Sequence, residues 1–348
     1  MNKLVISPAP HIHGGDSIKK NMYGVLIALI PAFLVSIYVF GLDALLITVL
    51  SVLFCVGFEY LIAKYIMKKQ PTITDGSAII TGVLLAFNVP SNLPIWILAI
   101  GALFTVGVVK MTFGGLGNNI FNPAIAGRIF LLISFPAQMT TWPVPVLDIA
   151  TLPDAAAAAT AHLHADAATT ATVLANMRYA PDAIPSLSTL FLGFHAGSLG
   201  EMSALALLLG MIYMLWKRII TWHIPVSIIA TVVVFTGIIH LAHLPSNFFA
   251  NPSFEAFMSN APAFNPIFHL LSGGLLLGAI FMATDYTTSP MTKSGMLIYG
   301  VLIGIITVCI RLWSAYPEGI SFAILIMNAC TPLINIYTSP KRFGEVKK

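Results

Sequence analysis

Ten apolar runs, separated by polar, proline or glycine breaks, set the solvent in which this 348-residue chain must fold. A hydrocarbon layer about 30 Å thick takes about 20 apolar residues per helix, so such runs read as membrane spans. They occupy 23–40, 43–66, 77–89, 94–113, 123–136, 201–216, 224–243, 267–283, 295–312 and 319–337. Composition agrees, with 9% charged residues against roughly 25% in soluble domains. The expected fold is an all-α polytopic membrane protein. A polar leader with Asp16, Lys19 and Lys20 and no small-residue cleavage site precedes the first run, which is expected to stay as a helix.

Three runs, 77–89, 123–136 and 267–283, are short for a full span and are followed by polar or proline-containing sequence. Half-length helices belong where broken backbone lines a site inside the protein, because loose backbone in lipid leaves its polar groups unpaired. Charge distribution then orients the chain. With the N-terminus in the cytoplasm, fifteen of the seventeen lysines and arginines fall at the cytoplasmic face, counting Arg128 there, and only Arg178 and Arg311 fall outside. This predicts an even number of spans, both termini cytoplasmic, and residues 137–200 on the outer face. The net charge of +4 sits in loops, which points to topology and not to nucleic acid.

The outer segment separates two sets of five runs that echo each other. GSAIITGVLLAFNVPSNLP (76–94) and SGGLLLGAIFMATDYTTSP (272–290) each carry a glycine-bearing apolar run ending at a polar turn with proline. NNIFNPAIAGRIFLL (118–132) and GISFAILIMNACTPLIN (319–335) each place Asn and Pro in the fifth run of their set. Five helices is an odd number, so the second set must cross the membrane upside down, and inverted repeats often hold a site at their interface. The expected domains are a leader (1–22), a first five-helix repeat (23–136), the outer segment (137–200), a second repeat (201–337) and a tail (338–348).

Inside the outer segment lies DAATTATVL, residues 166–174. An alanine- and threonine-rich helix or linker is one reading, since alanine favours helix. The other rests on likeness: Asp166, Thr169, Ala171 and Thr172 are similar to the Asp-x-x-Ser/Thr-Gly-Ala-Thr signal on which a flavin transferase attaches FMN. There the phosphate joins the last threonine as a phosphodiester. An unactivated hydroxyl can accept it when an external enzyme supplies metal and base. Thr170 stands where glycine is usual. Asp154 to Thr160 has the same Asp-to-Thr spacing but lacks a hydroxyl at its fourth place, so Thr172 is the expected acceptor.

Other polar residues carry paired readings. Ser198 and Glu201 fit a capping box opening the sixth helix, with Gly197 and Gly200 allowing close backbone approach; the alternative has that helix end favouring a flavin phosphate. Asn118, Asn119 and Asn122, beside Gly114, Gly115 and Gly117, either bond a second flavin's ring edge or an ion's shell, or cap helices and bond a neighbouring protein of an assembly. Asp285 and Glu318 are their counterparts in the second repeat, with Glu318 either on an ion path or a helix-start carboxylate. His240, His243, His269, His162 and His164 are read as interfacial residues and not metal ligands. Cys55, Cys309 and Cys330 lie in apolar runs without a CxxC, so an iron–sulfur cluster held by this chain is not expected. The chain has no phosphate loop, dinucleotide fingerprint or nucleophile triad.

SPAPHIHGGDS (7–17), FGGLGNNIFNPAIAGRIFLLISFP (113–136), DAATTATVL, SLSTLFLGFHAGSLGEMSALALLLG (186–210), GAIFMATDYTTSPMTKSG (278–295) and YPEGISFAILIMNACTPLI (316–334) occur in one order. In that order they resemble the RnfD family of the Rnf electron-transport complex, whose close relative is the NqrB component of the sodium-pumping NADH:quinone oxidoreductase. The resemblance implies a subunit of an inner-membrane translocase that passes electrons between reduced ferredoxin and NAD while moving sodium ions or protons. It implies covalent FMN on Thr172, a non-covalent riboflavin in the membrane part, and a flavin transferase for maturation. The implied partners are other Rnf subunits, including iron–sulfur and second FMN-carrying ones, and membrane lipid. Two rivals stand beside it: an inverted-repeat channel or transporter without a redox role, and a structural anchor for other redox subunits.

Overall fold

The computed structural model describes residues 17–70, 73–143, 145, 169–170, 172–180, 184–244, 257, 262–314, 316 and 318–340. The first half holds α1 (Ile18–Phe40), α2 (Leu42–Leu61, continued by a π-helical stretch to Ile66), α3 (Ser77–Phe87), α4 (Ile95–Leu103, continued by a π-helical stretch to Met111) and α5 (Pro123–Ser134). Small elements follow: α6 (Pro136–Met139), β1 (Trp142–Pro143), β2 (Thr169–Thr170), α7 (Val173–Tyr179) and α8 (Leu187–Leu192). The second half holds α9 (Ala204–Trp216), α10 (His223–His243), α11 (Pro266–Leu271), α12 (Leu275–Leu277, continued by a π-helical stretch to Met282), α13 (Lys293–Trp313) and α14 (Ile320–Thr338).

Five of these, α1, α2 with its extension, α10, α13 and α14, are long and apolar enough to cross a membrane. They turn large apolar side chains such as Leu34, Leu53, Val234 and Ile238 outward, a surface that suits hydrocarbon and not water. The chain is a multi-pass membrane protein.

Local chemistry sets the helix starts. Ser17 Oγ accepts from Lys20 N–H to open α1, and Thr292 Oγ1 accepts from Gly295 N–H to open α13. Both α5 and α11 open on Asn-Pro: the Asn side chain accepts a first-turn N–H, and proline takes the position whose own N–H has no helical partner.

The 11 residues of α3 and 12 of α5 span, at about 1.5 Å each, little more than half of a hydrocarbon layer. Their free ends are met from within the chain. Leu199 and Gly200 donate their N–H groups to the Val89 and Phe87 carbonyls at the end of α3. Asn122 Nδ2 donates to the Met282 carbonyl at the end of the α12 stretch. Irregular backbone survives at this depth because protein, not lipid, faces it.

Packing joins the halves. The first helix lies along α9, where a Cβ on Gly210 would stand 2.4 Å from the Ala28 carbonyl oxygen. Such close approach is how small residues let membrane helices gain van der Waals contact. Elsewhere α2 packs on α3 and α4, and α13 packs on both α10 and α14.

The helices depart from the expected runs in three places. The run 267–283 is not one helix, because Ser272–Gly274 breaks it between α11 and α12, with Gly273 at a φ of 69°. The sixth helix begins at Ala204 instead of 201, capped by Ser203, whose Oγ accepts from Ala206 N–H. The described chain is also not wholly helical: β1 pairs antiparallel with β2, Trp142 opposite Thr170 and Pro143 opposite Thr169.

The Gly210 contact predicts that Gly210→Leu destabilises the chain by about 1–3 kcal/mol through overpacking. Gly237→Leu on α10, where an added Cβ meets nothing within 4 Å, leaves stability unchanged. Thermal unfolding of the two variants in detergent measures the difference.

Candidate functional site

Two cavities lie at opposite ends of α5. Pro123 and Ala124 at its start line a smaller one, of about 90 Å³, while Arg128 and Leu132 further along line a larger one, of about 340 Å³. The chain passes between them in both senses. Residues Ser77, Thr81 and Leu84 of α3 line the small cavity before the helix ends at Asn88, beside Arg128. Gly273 lines the large cavity, and Phe281, Thr284 and Asp285 downstream line the small one, so this stretch runs opposite to α3.

Thr172 lies on the wall of the large cavity. It is the N-cap of α7, its Oγ1 accepting from Ala175 N–H at 3.3 Å. The β1–β2 pair brings the strand just before it against Trp142, another residue of the wall. Arg128 lines the same cavity. Its Nη1 donates to Asn88 Oδ1 (2.8 Å), Ser321 Oγ (3.0 Å) and Glu318 Oε1 (3.0 Å), and its Nη2 donates to Glu318 Oε2. Glu318 Oε1 also accepts from Gly274 N–H at 3.0 Å. Low dielectric strengthens this pair, and the extra hydrogen bonds offset the loss of water around both charges.

The segment 194–203 supplies more of the wall. Ser198 Oγ donates to Glu201 Oε2 at 2.8 Å, and a Cβ on Gly197 would stand 2.0 Å from Glu201 Oε1. His195 is 4% exposed and lines the cavity. Burial pulls its imidazole down to about 4, so the ring is neutral near neutral pH.

Around the small cavity the polar groups include Lys110, Asn119, Asn122 and Asp285. Lys110 Nζ pairs with Glu59 at 2.7 Å and donates to Ser77 Oγ at 2.8 Å, all three buried. Asn119 Nδ2 donates to the Phe121 carbonyl, and Asp285 accepts from Thr287 and Thr288.

The structure thus sorts the residues singled out in sequence. Thr172, Glu201 and Glu318 share the large cavity, and Asn119, Asn122 and Asp285 share the small one. Ser198 and Glu201 do not form a capping box; they bond each other ahead of the helix that Ser203 caps. Arg128, counted with the cytoplasmic charges, lies on the Thr172 side of α5, while Lys110 lines the opposite cavity. Asn122 both caps α5 and bonds Met282 of its own chain, so its amide is not left for a neighbouring protein. Asp166, Ala171, His162, His164 and the 154–160 stretch lie outside the described residues, and Thr169 is described only as backbone in β2. His240 and His269 face backbone carbonyls, His243 stacks on Phe264, and no group of three metal-ligating side chains occurs among the described residues.

Sequence reading missed Arg128, His195 and Trp142 as cavity residues and Lys110 with Glu59 as a buried pair. A lone arginine inside an apolar helix was the available signal, since an intramembrane charge is costly unless paired.

The NQR2, RnfD, RnfE family matches this chain over residues 5–344. The chain belongs to that family. A relative from Acetobacterium woodii, the RnfD-type component of a Na(+)-translocating ferredoxin:NAD(+) oxidoreductase complex, is 41% identical over 99% of this chain and 96% of its own length. One from Clostridium ljungdahlii, named as the proton-translocating counterpart, is 38% identical over 99% of this chain and 97% of its own. The corresponding component of an ion-translocating oxidoreductase complex in Aliivibrio salmonicida is 35% identical over 98% and 99%.

In this family member, Arg128→Met strands Glu318 without its cation and is expected to cost about 3–5 kcal/mol, whereas Arg128→Met with Glu318→Leu costs less than the single change. Unfolding temperatures of both variants in detergent test the order.

Proposed function

We propose that this chain is the flavin-carrying RnfD component of an ion-translocating ferredoxin:NAD oxidoreductase complex, with FMN joined through its phosphate to the Thr172 hydroxyl. The observation that carries the reading is the placement of Thr172 on the wall of a cavity of about 340 Å³, in a chain whose full-length relatives are named as components of such complexes. That volume falls within the roughly 300–1,000 Å³ of small-molecule sites. The lining fits a flavin: apolar surface for a flat ring, Trp142 and Tyr316 as aromatic walls, and a buried His195 whose ring nitrogens lack protein partners among the described residues.

Held there, the flavin supplies one- and two-electron redox chemistry. The chain's own residues do the rest. Thr172 fixes the tether, Trp142 and Val173 exclude water, and Arg128 places a positive charge on the wall, partly neutralised by Glu318. Asp166, Thr169 and Ala171 serve recognition by the flavin transferase. The small cavity, with Asn119 and Asn122, is the place for a non-covalent riboflavin or an ion.

The scaffold proposed is two inverted five-helix repeats, supported by the opposed courses of 77–88 and 273–285 between the cavities. Both termini are assigned to the cytoplasm of an inner membrane, with Thr172 on the outer face. Partners are the other Rnf subunits, including iron–sulfur and second FMN-carrying ones, within membrane lipid. The coupled ion is sodium or a proton.

The test is in-gel flavin fluorescence of the denatured chain, co-expressed with a flavin transferase. Fluorescence should persist in Thr160→Ala and vanish in Thr172→Ala. Survival in Thr172→Ala contradicts the site, and absence from the unaltered chain contradicts the flavin-carrier reading.

A further inference from the structure

His195 is the buried group on the large cavity to which no role has yet been given. Its Nδ1 and Nε2 both lack a hydrogen-bond partner among the described residues. Buried polar atoms in native proteins are nearly always paired, and a neutral imidazole carries one donor and one acceptor. Two open positions on one ring, in the wall of one cavity, therefore call for a ligand that offers both functions.

The backbone that carries the ring is held in place. Phe194 N–H donates to the Thr189 carbonyl just before it, and Leu199 and Gly200 dock on the end of α3 just after it. A Cβ on Gly200 would stand 2.4 Å from Phe87 Cβ, so the backbone here approaches α3 as closely as glycine allows. A side chain anchored this way is preorganised for what enters the cavity.

Among the cavity residues the charged ones are Arg128, Glu201 and Glu318. Arg128 already gives its guanidinium to Glu318, Asn88 and Ser321, and Glu201 already accepts from Ser198. His195 keeps its hydrogen-bonding capacity open. An isoalloxazine edge presents carbonyl oxygens and ring nitrogens that alternate acceptor and donor character, which matches a neutral imidazole better than it matches either charged neighbour.

We propose that His195 hydrogen-bonds the polar edge of the isoalloxazine carried on Thr172 and so sets its midpoint potential. This rests on the flavin reading above, and it makes His195 a residue that touches the cofactor and not only part of the wall. A hydrogen bond that differs in strength between the oxidised and reduced ring shifts the potential by that difference; water alone in the cavity gives no such dependence on residue 195.

The experiment is a spectroelectrochemical titration of the full chain purified with its attached flavin, reading the signal that Thr172→Ala removes. His195→Ala should retain in-gel fluorescence but change the oxidised-to-reduced ratio at fixed potential at least tenfold, about 30 mV for a two-electron couple. His195→Gln, which keeps a donor and an acceptor, should recover more than half of the change. If the alanine chain does not accumulate, His195→Phe fills the space without polar atoms and should show the same shift. A potential unchanged in whichever of these two apolar variants carries the flavin overturns the assignment of His195 while leaving Thr172 intact. Retention of the full flavin signal in Thr172→Ala instead overturns the flavin reading beneath it.

Discussion

The buried pair of Arg128 and Glu318 is the interaction around which the two halves of this chain are assembled. A guanidinium at membrane depth must find a partner, and here it finds one 190 positions away. Its other hydrogen bonds reach Asn88 at the end of α3 and Ser321 in the first turn of α14, while Glu318 takes the N–H of Gly274 at the break before α12. Segments from both halves thus meet at one charge pair. Each interruption leaves backbone groups that lipid could not satisfy, and the pair and its neighbours answer them.

That arrangement produces the functional geometry. Because α3 and α12 stop partway, space opens at each end of α5, and the ends acquire different chemistry. One cavity has a buried lysine, amides and Asp285; the other has the arginine pair, a neutral imidazole, aromatic walls and the Thr172 hydroxyl. A flavin tethered at the second cavity is held by one covalent bond at its phosphate and by walls at its ring. Its electronic character is then in the hands of residues that the scaffold, and not the tether, positions.

Much of this was legible in the sequence. Apolar runs located the long helices to within a few residues, and the shortness of 77–89 and 123–136 marked two half-helices. The family was legible from blocks spread along the chain, and Thr172 from a four-residue likeness. The ion pair was not legible, since its partners are far apart in the chain and Arg128 counts as an ordinary positive charge until its helix is placed. The Ser198–Glu201 spacing has the form of a helix cap, but the segment is tied down by the end of α3, and the helix waits for Ser203. Local pattern cannot report a tertiary bond of that kind. The break at 272–274 escaped for the same reason: serine and two glycines within an apolar run show as a stop only when Arg311 and Glu318 bond the backbone there.

The central claim is that one hydroxyl, that of Thr172, bears the flavin at the cavity beside Arg128. Cleavage at Arg128 and Arg178 releases a single peptide, since no lysine or arginine lies between them, and that peptide carries both Thr160 and Thr172. Fragmentation mass spectrometry of it locates the adduct directly. An FMN phosphodiester on Thr172 is the result predicted; an adduct on Thr160, or a peptide with none after co-expression with a transferase, contradicts it.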